Sequence, residues 1–139
     1  MTITPEQHQH LARIAAQHRL RMVVAFGSAV TGKVHATSDL DLAVLPEESA
    51  DLALQDLAAL LDALDRAFAP LKVDLVVLPR ADPLLLKKIF ETGVLLHGDE
   101  RDFRWYRVYA HRRFSEYQPY FRLEAQATRA LVRRMRHAR

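Results

Sequence analysis

Apolar residues recur in two rhythms along this chain, and the changes of rhythm mark its elements. Thr4-Pro5-Glu6-Gln7 has the form of a helix start: a capping Thr, Pro at the first helical position, and Gln at the capping-box position. Leu11, Ile14 and Ala15 follow at helical spacing, with His18 at the end of the stripe. Met22–Phe26 is a short unbroken apolar run and predicts a buried strand. Gly27-Ser28 then turns into a short helix that ends near Gly32. A second apolar run, Leu42–Leu45, is broken by Pro46-Glu47-Glu48-Ser49. Ser49 or Asp51 caps the next helix, whose buried face is Leu54, Leu57, Ala58, Leu61, Leu64 and Phe68. Asp56, Asp62 and Asp65 lie off that stripe and are expected in solvent. The helix must stop by Ala69, because Pro70 disfavours helical geometry in its predecessor.

Val73–Leu78 reads as a third strand, apolar except for Asp74 and therefore expected to be buried. Asp82-Pro83 opens another helix with Leu85, Leu86, Ile89 and Phe90 facing inward, and Gly93 closes it. Val94–His97 is a short edge strand, and Gly98 turns the chain into a last long helix capped by Asp99. Phe103, Tyr106, Ala110, Phe114 and Tyr117 form its stripe, widened by Trp105 and Tyr109. Pro119 is expected to kink or restart this helix, and Phe121, Leu123, Ala127, Ala130, Leu131 and Met135 continue a looser pattern. The elements predict an α/β (α+β) architecture, a mixed sheet of about four strands with flanking helices and a C-terminal helical arm.

With 139 residues, half of them apolar or aromatic, the chain is expected to form one domain, a core over 1–98 with a helical extension over 99–139. The absence of Cys excludes disulfides and thiolate metal sites and fits a reducing cytoplasm, the expected location. No signal-like start and no apolar run of membrane-spanning length occurs. Charge is divided unevenly. Residues 1–98 carry 9 Lys and Arg against 12 Asp and Glu, a net −3, whereas residues 99–139 carry 11 Arg against 5 acids, a net +6. Such asymmetry suits an acidic partner, protein or nucleic acid, although charged helix faces are often merely solvated.

The chemistry gathers between Gly27 and Asp41. Asp39 and Asp41, two apart on a strand, project from one face. Paired carboxylates there repel each other unless a cation sits between them, and magnesium favours hard oxygen ligands shared with phosphates. Gly27 permits close backbone approach, and the amides at the helix start with the Ser28 hydroxyl suit phosphate oxygens. Asp74 is a third strand-borne acid, too costly to bury without a pair or a cation. Ser38 is placed to orient the turn into the Asp-bearing strand.

At these residues the chain resembles the minimal nucleotidyltransferases (MNT), small members of the polymerase-beta-like superfamily. Gly27-Ser28, ten residues, then Asp39-Leu40-Asp41 matches their signature, with Gly32 and Ser38 inside it and Asp74 as the natural third carboxylate. The resemblance covers roughly the first hundred residues. It implies a nucleotidyltransferase fold, with Asp39, Asp41 and Asp74 as catalytic metal ligands for Mg²⁺ or Mn²⁺. It further implies ATP held at Gly27, Ser28 and Ser38. Members often carry polar groups just after Gly-Ser, where this chain has Ala29-Val30-Thr31. Lys33 or His35 are candidate substitutes on the phosphates, with a solvated loop charge the favoured reading of Lys33. Solitary MNT chains of this size resemble the MntA-type antitoxins of HEPN–MNT toxin–antitoxin pairs. That likeness implies a protein adenylyltransferase that moves AMP from ATP to a tyrosine of a HEPN ribonuclease toxin. A small-molecule or RNA-end acceptor, or a catalytically silent antitoxin acting by contact, are the alternatives. Nucleic acid is the less favoured partner, and self-association stays open.

Overall fold

The computed structural model describes residues 2–32, 39–47 and 54–137. Helix α1 (Pro5–Gln17) leads into strand β1 (Leu20–Phe26) and a single turn of helix, α2 (Ser28–Thr31). Strand β2 (Leu40–Pro46) and helix α3 (Leu54–Phe68) precede strand β3 (Val73–Val77). A 3₁₀ turn (Leu78–Arg80), helix α4 (Pro83–Thr92), strand β4 (Val94–His97) and helix α5 (Glu100–His137) complete the chain.

Local chemistry sets the helix starts. Thr4 and Gln7 form a reciprocal capping box, with Thr4 N–H donating to Gln7 Oε1 at 2.9 Å and Gln7 N–H to Thr4 Oγ1 at 3.1 Å. Asp82 accepts from Leu85 N–H at 2.8 Å ahead of Pro83, and Asp99 accepts from Arg101 N–H at 2.8 Å. The proposed caps Ser49 and Asp51 lie outside the described residues, as do Lys33, His35 and Ser38.

The four strands lie in the order β3-β2-β1-β4. β1 is antiparallel to β2 and β4, and β2 runs parallel to β3, so the sheet is mixed as the sequence predicts. Alternation along the strands divides the core in two. Val23, Ala25, Leu42 and Val44 face α1 and α3, meeting Leu11, Ala15, Leu60, Leu64 and Phe68. Met22, Val24, Phe26, Ala43 and Leu45 face α4 and α5, meeting Leu86, Ile89, Phe90, Phe103 and Ala110. Phe90 holds the second layer together, its ring 5.6 Å from Phe103 and 5.7 Å from Tyr106, which stacks on it.

Several expectations change. On α3 the innermost residues are Leu60, Leu64 and Phe68, while Ala58 is exposed. Asp65 is half-buried and accepts a hydrogen bond from Val73 N–H at 2.8 Å, capping the start of β3 instead of facing solvent. β3 is an edge strand, so Asp74 is exposed and not a carboxylate sunk in the interior. Helix α5 runs unbroken for 38 residues with Pro119 inside it, so the chain does not restart there; the proline removes one backbone donor without ending the helix. From Ser115 to His137 every residue is exposed except the half-buried Phe121, so about 35 Å of helix extends beyond the packed body. Among the described residues no helix is long and apolar enough to cross a membrane.

Candidate active site

Parallel pairing of β2 with β3 sets Asp41 directly opposite Asp74, one step after Leu40 opposite Val73. Leu40, Leu42 and Val73 point to the α1–α3 layer, so by alternation both carboxylates project to the α4–α5 side. On the other flank Asp41 pairs with Phe26, the last residue of β1, which delivers Gly27 beside the acid. Gly27 has φ +77° and ψ −154°, a conformation close to exclusive to glycine. A Cβ built there would stand 2.2 Å from Asp41 Oδ2. Any other side chain would thus collide with the carboxylate that the turn is built around. Ser28 follows half-buried at the start of α2, and Gly32 caps that turn in the left-handed conformation.

Asp39 precedes β2, lies in irregular backbone and is exposed. Its charge still reaches Asp41, whose carboxyl is pushed above its ordinary value. Burial is the largest cause, followed by the negative charge of Asp74; Asp39 adds to it, as does a hydrogen bond shared with Asp74. Lys88 on α4 opposes the shift. Lys88 is the site residue missing from the sequence reading. It follows Lys87 and adjoins the inward Ile89, so helical spacing places it at the margin of the stripe that covers the acids' face.

Among the described residues no three His, Asp or Glu side chains form a group arranged to hold a metal ion. The fold pairs Asp41 with Asp74 and leaves Asp39 outside that pair. Even so, the donors fit a hard divalent cation. Magnesium is commonly bound by one or two carboxylates with water and substrate phosphates completing the shell, and does not require an all-protein cage. The repulsion that lifts the Asp41 pKa is the condition a cation relieves, and the Cβ-free cradle at Gly27 leaves room beside Asp41 Oδ2.

A mixed sheet carrying a Gly-Ser turn against strand-borne carboxylates is the layout of a nucleotidyltransferase. Residues 9–102 match the family described as Polymerase beta, Nucleotidyltransferase, and the chain belongs to that family. Its fold is similar to that of a toxin–antitoxin protein crystallised with AMP-PNP, at TM-score 0.69 and 28% identity over 90% of this chain and 97% of the other. It is also similar to a chain in the complex of a tri-AMPylated Shewanella oneidensis HEPN toxin with an MNT antitoxin. There the TM-score is 0.64 and the identity 25%, over 91% of this chain and 95% of the other. No curated protein matches the chain.

Proposed function

We propose that this chain is the antitoxin of a toxin–antitoxin pair and neutralises a HEPN-family ribonuclease toxin by transferring AMP from ATP to one of its tyrosine hydroxyls. The observation that carries this reading is the similarity, over nine-tenths of the chain, to proteins crystallised as toxin–antitoxin complexes, one with an ATP analogue and one with an AMPylated HEPN toxin.

In this reading Gly27 and Ser28 hold the distal phosphates, with Ser38 and Lys33 as further candidates from the sequence. Asp39, Asp41 and Asp74 hold the divalent ions. Mg²⁺ or Mn²⁺, when bound, supplies charge neutralisation to the triphosphate and acidity to the attacking hydroxyl. Asp74, exposed at the sheet edge, is open to an incoming acceptor and takes the proton from its hydroxyl. The hydroxyl oxygen bonds to the α-phosphorus, the bond to the α–β bridging oxygen breaks, and pyrophosphate leaves. Lys88 lies close enough to affect Asp41 and adds positive charge beside the phosphates. Catalysis of this kind depends on positioning and charge stabilisation more than on covalent chemistry.

The test is incubation of the chain with α-labelled ATP, magnesium and the toxin encoded beside it. Label is expected on the toxin, on a tyrosine by mass spectrometry. Label that appears only on RNA or a small molecule, or no label while the toxin is still inhibited, overturns the reading.

A further inference from the structure

The same sheet face that carries the acids ends, at its other extremity, in a cleft of 570 Å³. Leu45 and Leu86 form part of its apolar lining, and Trp105, Tyr109 and Arg113 of α5 contribute to it as well. Two features of the cleft have no role in the nucleotide chemistry. Trp105 stacks flat on Tyr109, with ring centroids 5.2 Å apart and planes 12° apart, yet remains 59% exposed. Arg113 Nε is buried and has no hydrogen-bond partner, an unsatisfied donor in a protein interior. The second arginine of the cleft, Arg21, is already committed, donating to Asp102 through Nε at 2.9 Å and Nη2 at 2.7 Å. Arg113 is restrained mainly by its position 4.8 Å over the Tyr117 ring, a weak hold that a turning guanidinium can leave.

Beyond the cleft the same helix continues as the exposed arm. Leu123 is 60% and Met135 67% exposed, and Tyr120 and Leu131 are nearly as open. Residues 115–139 hold six Arg against two Glu. Two such arms laid together bring like charges side by side, which disfavours arm-to-arm pairing of two copies. An apolar, cationic helix continuous with an aromatic cleft that holds an open donor has the chemistry of a protein-binding surface, where Trp, Tyr and Arg dominate the energetics.

We propose that the cleft and the arm form one docking surface for an acidic, amphipathic segment of the partner protein. An apolar side chain of that segment lies against Trp105 and Tyr109, a carboxylate takes the Arg113 guanidinium, and the acidic flank follows the arginines of the arm. The identity of the partner rests on the toxin–antitoxin reading above; the surface does not depend on AMP transfer.

The full-length chain and its Trp105→Ala and Arg113→Gln variants are titrated calorimetrically with the cognate toxin, and labelling is measured at saturating toxin. Each variant is expected to weaken Kd by roughly 10–30-fold, the range of an interface anchor. The melting temperature of Arg113→Gln should not fall appreciably, because the lost Nε makes no bond and the hold over Tyr117 is weak, so this variant still decides the matter if Trp105→Ala unfolds. Labelling should persist at saturation, because the acids lie elsewhere. Unchanged affinity in Arg113→Gln overturns the docking surface, as does a change confined to self-association in sedimentation. Weakened binding with no AMP transfer by the wild type sustains the surface and sinks the transfer reading. Transfer with unaltered affinity does the reverse.

Discussion

Asp41 and Asp74 stand opposite each other in the parallel β2–β3 register, with Gly27 backed directly against Asp41. Three separate strands therefore converge on one negative point, where burial and the charges of Asp74 and Asp39 raise the Asp41 pKa, a repulsion that a bound cation would relieve.

Replacing Asp39 and Asp41 together by Asn should reduce nucleotide transfer on the order of 10³-fold, about 4 kcal/mol of transition-state stabilisation. The fold should survive, since removing charge from a repulsive cluster does not destabilise the apo protein. Circular dichroism melting alongside the labelling assay checks both parts; a double variant that labels the toxin as the wild type does would end the metal-carboxylate mechanism.

The raised pKa of Asp41 fixes the sign of a pH effect. Because the folded value lies above that of a free aspartate, this carboxyl favours the folded state in its protonated form. That contribution is complete below the unfolded pKa and is lost as pH rises through the elevated folded one. The melting temperature of the wild type relative to Asp41→Asn should thus fall as pH rises through this window without metal. At neutral pH, magnesium with ATP should raise the melting temperature of the wild type more than that of Asp41→Asn.

Gly27→Ala tests the cradle. Its glycine-only conformation and a Cβ contact of 2.2 Å to Asp41 Oδ2 mean that the backbone or the acid must move. A loss of about 1–3 kcal/mol in urea denaturation is expected, together with loss of the thermal shift given by magnesium and ATP. A variant that keeps both would show that close approach at Gly27 is not needed.

Phe90→Ala should cost about 3–5 kcal/mol by the same measurement, because Phe90 is fully buried and its ring meets Phe103 and Tyr106. Leu123→Gln, on the exposed arm, should leave the unfolding midpoint unmoved.

Much of this architecture was legible in the sequence, where local chemistry and periodicity agree. The capping box at Thr4, the Pro after Asp82 and the short apolar runs all mark elements that the structure contains. Asp74 is different. An apolar run looks alike at the centre or the edge of a sheet, and only the strand order reveals that β3 is an edge and Asp74 exposed. Asp65 could not be distinguished from Asp56 or Asp62, because its partner, Val73 N–H, arrives from another element. Lys88 was hidden for the same reason: its charge matters only once α4 packs over the acids' face. At Pro119 the helix does not restart, since a helix can pass over one missing donor when the flanking turns hold.

The positions of Asp41 and Leu45 on β2 set a fixed distance between two events. The acids and the aromatic cleft lie about 13 Å apart along one strand of a stiff sheet, at the usual rise per residue. In the docking proposal, the residue seated against Trp105 and the hydroxyl presented to Asp74 must therefore lie at least about four extended residues apart in the partner, at a separation that the strand measures out. A peptide copying only the few residues seated against Trp105 should therefore compete with the partner for binding without accepting AMP.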